Sequence, residues 1–288
     1  MKNLAPRLVS IHGAHSGEFC THAENTLEEL VQTYIRKGFS WVGITEHMPP
    51  AANRFRYPDE VEAGLDATGL YQRFGRYMTT ARALQKKYAS RITLYIGFET
   101  ETYSGSFAFI ESLVRTFTPD YIVGSVHHVN DIGIDWSQDT YDRIAQRLGG
   151  REALYRAYFD LQHEMLLRLN PQVVGHFDLV RIFDDDYRRR LRNESIRRRI
   201  RRNLELIKRL NLTMDLNMRS LQKGGTEPYI ARPILEDVLA LGIPVVPGDD
   251  AHSVATVGLH IEEGIQLLQE MGFDTEWRTP AYRVMSYR

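Results

Sequence analysis

Side chains of metal-binding type recur along this chain, mostly where an apolar run ends in a polar turn. Nine of them stand out: His12, His15, His22, His47, Glu99, His127, His176, Asp250 and His252. Imidazoles and carboxylates together suit divalent zinc, iron or manganese. At roughly three to four protein ligands per ion, this set could hold two or three ions. Such a centre predicts metal-assisted hydrolysis.

The first and last of these residues stand in the densest local patterns. The opening segment SIHGAHSGEFCTH carries three of the histidines directly after an apolar run that predicts a strand. Near the other end, PGDDAHS places Asp250 and His252 two residues apart, so that both side chains can face the same ion. The single cysteine of the opening segment, Cys20, is interpreted as buried filler.

Two further segments hold candidates within apolar strand patterns. Glu99 lies inside YIGFETE, where a buried carboxylate needs a cation or a hydrogen-bond donor, whereas Glu101 is interpreted as a loop charge. In GSVHHVN, strand alternation sends His127 and His128 to opposite faces, so only one can readily be a ligand. We therefore treat His128, like His163 and His260, as a non-ligand.

Short β-rich runs alternate with longer amphipathic stretches, as expected for parallel strands joined by crossover helices. The predicted strands cover 7–12, 41–47, 92–99, 120–128, 173–178, 212–217 and 243–250. The predicted helices lie near 25–38, 66–89, 151–169, 190–210, 231–241 and 257–271. The metal-type residues fall at the C-terminal ends of the strands, where a (β/α) barrel assembles its active site. The long connections 48–65 and 129–150 are candidates for covering a substrate.

Composition limits the classes of protein that this chain can represent. Its 288 residues, 43% of them hydrophobic, predict one α/β domain spanning 1–288. A formal charge of -1 and a pI near 6.8 give no general attraction for nucleic acid or an anionic membrane. No run approaches the roughly 18 uncharged apolar residues of a membrane span, the start lacks a signal-peptide pattern, and one cysteine fits a reducing compartment. We expect a cytoplasmic protein, and the sequence does not indicate its oligomeric state.

Taken jointly, the motifs resemble those of the polymerase and histidinol phosphatase (PHP) superfamily, and more closely its monofunctional histidinol-phosphatase branch. The matching segments are FCTHAEN, GFSWVGITEHMPP, YIGFETE, DYIVGSVHHVNDIGIDWS, VGHFDLVRIF, DLNMRSLQKGGTEPY and GDDAHS. The resemblance implies a distorted (β/α)7 TIM-like barrel with a trinuclear metal site at the C-terminal ends of the strands. It also implies a division of ligands: His12, a second opening histidine, Glu99 and Asp250 for one ion; Glu99, His127 and His176 for the second; His22, His47 and His252 for the third.

Two positions depart from the family pattern. The opening motif is H-x-x-H rather than H-x-H, so strict alternation would turn His12 and His15 to opposite faces, and we expect a bulge at Gly13 to restore a common direction. In LQK, Gln222 stands where the family more often has arginine.

The resemblance implies hydrolysis of L-histidinol phosphate to L-histidinol in histidine biosynthesis. Arg181 is the expected fork for the phosphate, with Arg54, Arg56 and Arg219 as weaker candidates. Asp250 or His128 could protonate the leaving alkoxide. The remaining predicted substrate contacts are Asp135, Trp136 and Asn217.

Other functions stay open at this point. One is a PHP-type phosphoesterase that acts on another small phosphate or on nucleic-acid ends, and another is a noncatalytic metal-binding module. The arginine-rich run near 187–210 could neutralise nucleic-acid phosphates. Its apolar positions favour instead an amphipathic helix that covers the barrel and exposes its arginines to solvent.

Overall fold

Seven parallel strands form the centre of the molecule. The structure is a computed structural model that describes residues 6–280. The strands of this sheet are β1 (Val9–Ser10), β2 (Trp41–Ile44), β3 (Thr93–Glu99), β4 (Tyr121–Gly124), β7 (Val173–Val174), β8 (Thr213–Asn217) and β9 (Val245–Gly248). They neighbour one another in the order β1-β2-β3-β4-β7-β8-β9.

The first and last strands approach each other and nearly close the sheet. The Ile11 backbone N–H donates to the Pro247 carbonyl at 3.0 Å, and the Asp250 N–H donates to the His12 carbonyl at 2.9 Å. The predicted distorted (β/α)7 barrel is therefore confirmed. Most of the nine metal-type residues end one of these parallel strands or follow it within a few residues, so they lie at the same rim of the barrel.

Helices surround this sheet. They are α1 (Leu27–Arg36), α2 (Pro58–Glu62), α3 (Ala67–Lys87), α4 (Ser106–Phe117), α5 (Gln138–Leu148), α6 (Arg151–Leu169), α7 (Tyr187–Leu191), α8 (Glu194–Leu210), α9 (Arg219–Gln222), α10 (Arg232–Leu241) and α11 (Ile261–Met271). Short 3-10 turns occupy Asn53–Phe55 and Leu179–Arg181. None of the helices in the described part of the chain combines the length and the apolar character needed to span a bilayer.

The structure differs from the predicted elements in several places, including helix α4, the region 190–210 and the connection 129–150. Helix α4 was not predicted, although its apolar face is buried. The predicted helix 190–210 is two helices, because the Asn193 side chain accepts from the Ser195 N–H and starts α8 anew. The predicted connection 129–150 contains the antiparallel hairpin β5 (His128–Val129) and β6 (Ile132–Gly133) and then α5, which Ser137 caps.

A small apolar cluster fills the barrel interior below the rim. Its members are Val9, Ile11, Trp41, Tyr121, Val123, Val173 and Val246. The Tyr121 hydroxyl crosses the interior and donates to the Ile11 carbonyl at 2.6 Å. A Cβ on Gly43 would lie 1.7 Å from that hydroxyl oxygen, so only glycine leaves room for it on β2. This packed layer forms the floor beneath the metal-type residues.

Helix α8 covers the outside of the barrel, as its amphipathic pattern predicts. Its apolar side chains are buried, while several of its arginines pair with acids. Arg199 and Arg202 both contact Asp160 of α6, at 2.9 and 3.0 Å, and Arg198 pairs with Glu194 at 3.1 Å. The arginine run is therefore partly neutralised by the protein itself.

Candidate metal centre

Glu99 is the centre of the predicted metal-type residues. It ends β3, and its side chain is 1% exposed. Its Oε1 lies 2.7 Å from His176 Nε2 and 3.3 Å from His127 Nε2. Its Oε2 lies 3.1 Å from His47 Nδ1 and 3.5 Å from His12 Nε2. One carboxylate thus faces imidazoles from four strand ends, with one pair at each oxygen.

Four overlapping groups of donor atoms surround this carboxylate, and within each group the atoms lie within 4.8 Å of one another. The groups are His12, His15 and Asp250; His15, His47 and Glu99; Glu99, His127 and His176; and Cys20, His22, His47 and His252. All nine predicted residues are included. The division implied by the resemblance matches this arrangement closely, and the assignment of ligands to individual ions stays a proposal.

Cys20 is the one member of these groups that we did not expect. Its side chain is buried, 5% exposed, beside the histidines of the outermost group. Burial, and after it the nearby Glu46 carboxylate, raise the pKa of the thiol well above its ordinary value. The structure thus brings the thiol to the histidines of the outermost group.

The opening motif reaches the site by a route other than the expected bulge. Strand β1 ends at Ser10, and Gly13 lies outside any strand with a φ that is not left-handed. A Cβ on Gly13 would lie 2.1 Å from the Gly43 carbonyl, so glycine is needed there for close approach of two backbones. The His15 N–H then donates to the Ala251 carbonyl at 2.8 Å, which brings the His15 ring to Asp250.

The state of the buried polar atoms fits bound metal. Within residues 6–280, several atoms of this site are buried and have no hydrogen-bond partner: His12 Nε2, both ring nitrogens of His15 and His47, and Asp250 Oδ1. Leaving so many such groups unpaired in one place is costly unless a cation satisfies them. Imidazole nitrogens and carboxylate oxygens are the donors that divalent transition metals accept. The site is therefore suited to divalent metal ions.

The acids and imidazoles of the site shift the pKa values of one another in both directions. Burial, followed by the nearby His47, lowers the pKa of His15 to about 3, and the same two kinds of effect lower the pKa of His252. Burial alone would raise the pKa of Asp250, but His12, His15 and His252 bring it well below its ordinary value. Burial alone would also lower the pKa of His12, His47 and His127, but the Glu99 and Glu101 carboxylates bring it above its ordinary value. An ion bound here would therefore displace protons from these imidazoles.

Four acidic residues behind the histidines were not recognised from the sequence as parts of the site. Asp215 Oδ2 lies 2.9 Å from His12 Nδ1, and Asp59 Oδ2 lies 3.2 Å from His22 Nδ1. The third, Glu46, has one oxygen 3.7 Å from His15 Nδ1, while the other accepts from Ser16 N and Oγ. Carboxylates in this position fix the tautomer and direction of a ligand imidazole. The fourth is Glu101.

A cavity of about 400 Å³ opens above the metal-type residues. Its walls combine acids, bases and aromatic rings with the donors of the site: His22, His47, Tyr57, Pro58, Asp59, Glu62, Glu99, His127, Asp135, Trp136, His176, Leu179, Arg219, Lys223, Tyr229, Asp250 and His252. The short helix α2, from the connection 48–65, supplies Asp59 and Glu62. Both long connections thus reach the cavity, as expected for segments that cover a substrate.

The predicted substrate contacts divide into two sets. Asp135 and Trp136 line the cavity, and Asp135 Oδ1 and Trp136 Nε1 are buried there without a hydrogen-bond partner. Asn217 does not line it, because its Nδ2 donates to Asp215 Oδ2 at 3.0 Å and to Asp250 Oδ2 at 3.2 Å. Asn217 therefore contacts the acids of the site instead of the cavity.

Arg181, the residue expected to bind the phosphate, donates its hydrogen bonds to other groups of the protein. It is 6% exposed, and its guanidinium donates to Asp178 Oδ2 at 3.0 Å and to the carbonyls of Glu227 and Pro228. The guanidinium also lies over the Tyr229 ring, 4.5 Å from its centroid. It does not reach the cavity wall, and neither do Arg54 and Arg56. The cations that do are Arg219, a weaker candidate, and Lys223.

Neither predicted proton donor has suitable surroundings. The low pKa of Asp250 keeps its carboxylate ionised. His128 is 1% exposed, lies outside the cavity lining, and packs edge-on against Trp136 with 5.6 Å between ring centroids. The structure therefore does not support a direct role for His128 at a leaving group.

Comparison with known proteins decides the family. The PHP domain matches residues 12–219. This chain belongs to the PHP domain family. A "Probable histidinol-phosphatase" of Schizosaccharomyces pombe is 34% identical and aligns with 92% of this chain and 87% of its own length. A histidinol-phosphatase of Saccharomyces cerevisiae is 30% identical, with 86% and 84% covered.

A solved structure agrees with this assignment. A Listeria monocytogenes structure that carries a histidinol phosphatase designation is 25% identical and has a TM-score of 0.78. The match covers 89% of this PHP chain and 99% of the Listeria chain. The resemblance seen in the motifs, to the superfamily and to its histidinol-phosphatase branch, is confirmed.

Proposed function

We propose that this PHP protein is a metal-dependent phosphomonoesterase that hydrolyses L-histidinol phosphate to L-histidinol and phosphate in histidine biosynthesis. The observation that carries the proposal is the cavity in which the metal-type residues, two cations and unpartnered polar atoms meet. The relatives named histidinol-phosphatases, which align over most of their length, support the choice of substrate.

The residues that would hold two or three ions are the nine predicted ones, grouped around Glu99. When bound there, divalent ions supply Lewis acidity, which activates water and offsets negative charge on the phosphoryl oxygens. Zinc, iron and manganese all suit this donor set.

The phosphate is bound on the protein side by Arg219 and Lys223. Gln222 holds the first of them in place, because its Oε1 accepts from Arg219 Nη1 at 3.1 Å while its Nε2 donates to the Asp249 carbonyl at 2.6 Å. The glutamine that replaces the more usual arginine of the family thus orients a different arginine at the cavity. A guanidinium fork matches the geometry of phosphate oxygens.

The organic part of the substrate is bound near Asp135 and Trp136. An ionised carboxylate with a free oxygen is a natural acceptor for an ammonium or imidazole N–H, and the indole N–H can donate to a neutral imidazole nitrogen or to the hydroxyl group. Histidinol phosphate carries an amine, an imidazole and a phosphate. Its charges therefore complement both sets of wall residues.

The test is a substrate panel with metal analysis of the same sample. The panel contains histidinol phosphate, other phosphomonoesters such as serine phosphate and glycerol phosphate, and single-stranded DNA. We expect turnover of histidinol phosphate with a kcat/KM at least about tenfold above the others, loss of activity on chelation and recovery with zinc or manganese. Cleavage of other phosphates or of DNA ends with histidinol phosphate ignored would refute the substrate assignment.

The same samples test the finer expectations. Elemental analysis of active protein gives the number and identity of the ions, and fractionation of cells tests the predicted cytoplasmic location. An active protein without transition metal would refute metal dependence.

A further inference from the structure

Glu101 lies among imidazoles instead of in solvent. It follows β3 two residues after Glu99, so alternation directs both side chains toward the same region, and it is 3% exposed. Its carboxylate contacts three imidazoles and one phenol. A buried charge with this many polar neighbours is not a loop charge, which corrects the interpretation from the sequence.

The two oxygens of Glu101 face different partners. Oε1 accepts a hydrogen bond from the Tyr57 hydroxyl and lies 3.6 Å from His47 Nδ1. Oε2 is fully buried and has imidazole nitrogens close by, His127 Nδ1 at 3.0 Å and His128 Nδ1 at 3.3 Å. An ionised oxygen buried without a donor costs roughly several kcal/mol, and the ring nitrogens of His127 and His128 are the groups near enough to supply an N–H.

Glu101 lies behind the donor atoms of the site. Its neighbours there are the imidazoles of His47, His127 and His128 and the Tyr57 hydroxyl. Glu101 does not line the cavity.

A proton on His127 Nδ1 determines what the other ring nitrogen can do. His127 Nε2 lies 3.3 Å from Glu99 Oε1 and 3.1 Å from His176 Nε2, inside one of the donor groups. In a neutral imidazole with Nδ1 protonated, Nε2 keeps its lone pair. The lone pair is therefore directed at the position where an ion would bind.

We propose that Glu101 is a positioning residue of the metal centre, which holds His127 in the tautomer and orientation that present Nε2 to the ion shared with Glu99 and His176. This inference rests on the proposed metal-dependent function. It adds to the metal site a residue, Glu101, that acts on the ion only through the His127 imidazole. Tyr57, which lines the cavity, keeps the second oxygen of Glu101 occupied and so fixes the direction of the carboxylate.

The test compares Glu101→Gln with Asp184→Asn, a second exchange of a buried carboxylate for an amide. Asp184 accepts from Tyr155 at 2.9 Å and Arg190 at 2.5 Å, away from the cavity lining. Zinc retention is measured without substrate by competition with a chelator. We expect the zinc dissociation constant of Glu101→Gln to rise about 10–100-fold, and that of Asp184→Asn to change by less than about threefold.

Steady-state kinetics of Glu101→Gln at saturating zinc provide a second measurement. If Glu101 only supported the fold, kcat and KM would not change separately. Because Glu101 does not line the cavity, Glu101→Gln should lower kcat while KM for histidinol phosphate stays within about threefold. Wild-type zinc retention in Glu101→Gln, or an equal loss in both variants, overturns the proposal. If wild-type protein ignores histidinol phosphate while the zinc difference remains, only the proposed substrate fails.

A measurement on zinc-loaded wild-type protein keeps the proposal testable if Glu101→Gln does not fold. Long-range ¹H–¹⁵N spectra of the imidazoles, with the His127 signals assigned by their absence from His127→Gln, report which nitrogen is protonated. We expect His127 to carry its proton on Nδ1. A proton on Nε2 would overturn the proposal.

Discussion

Replacing Glu99 by glutamine should separate metal binding from folding. Glu99→Gln keeps the size of the side chain but removes the negative charge that faces His12, His47, His127 and His176 at 2.7–3.5 Å. A hydrogen bond or contact to a charged group contributes about 1.5–3 kcal/mol. If the carboxylate serves ions at both oxygens, its loss should weaken metal binding by about 3 kcal/mol, or roughly 100-fold.

This loss has a definite effect on stability. With zinc at about 100 times the wild-type dissociation constant, binding stabilises the wild-type fold by about 2.7 kcal/mol, but it stabilises the variant by only about 0.4 kcal/mol. For a chain of this size, these values correspond to rises in Tm of roughly 5–10 °C and 1 °C. Burial alone would raise the pKa of the Glu99 carboxyl, but His12 and His127 hold it well below its ordinary value. Without metal the variant should therefore be less stable than wild type near neutral pH, because glutamine cannot replace that charge.

The assay is thermal unfolding of both proteins, first chelated and then titrated with zinc, with metal content determined in parallel. Asp184→Asn is again the control, since it should lower the Tm with and without zinc by the same amount. The reasoning would be refuted if zinc raised the Tm of Glu99→Gln as much as that of wild type and the variant bound the same number of ions. Glu99 would then not be needed for metal binding.

Three further predictions address the cavity, the short helix α2 and the barrel floor. Arg219→Gln should raise KM for histidinol phosphate about 10–100-fold, since a charge-assisted bond contributes about 1.5–3 kcal/mol; an unchanged KM in steady-state assays would exclude the phosphate role. Burial raises the pKa of Glu60 to about 7 from 4.5, so the folded state holds this proton more tightly and loses stability as pH rises from 4.5 through 7. Glu60→Gln should match wild type near pH 4.5 and exceed it by roughly 1–3 kcal/mol at pH 8 in urea unfolding, whereas a constant difference would contradict this assignment. Gly43→Ala places a Cβ against the Tyr121 hydroxyl and should lower the free energy of unfolding by roughly 2–3 kcal/mol. The double variant Gly43→Ala/Tyr121→Phe should recover part of this loss. Wild-type stability of the single variant would show that the barrel interior accommodates the added methyl group.

Much of the fold and the donor set could be predicted because both depend on local patterns. Alternating short and long periodic segments specify parallel strands and crossover helices, and the structure has seven such strands. Residue type alone marks Glu99, His176 and Asp250 as donors, and their place at strand ends implies one rim. The prediction failed at the ends of elements, because helix α4 begins after Gly105 without a side-chain cap, and Asn193 caps a new helix inside a continuous amphipathic run.

The partners of each side chain could not be predicted, since contacts between segments far apart in sequence decide them. Asp215 meets His12 across 203 residues, and Glu101 reaches Tyr57 across 44. Arg181 follows a strand as a phosphate ligand should, yet the carbonyls of Glu227 and Pro228 use its donors. The sequence by itself determined which chemical groups gather at the rim. Only the tertiary structure decided which of them face the cavity and which hold others in place. The physical reason is that each donor or acceptor forms its hydrogen bonds with the groups that packing brings within about 3 Å.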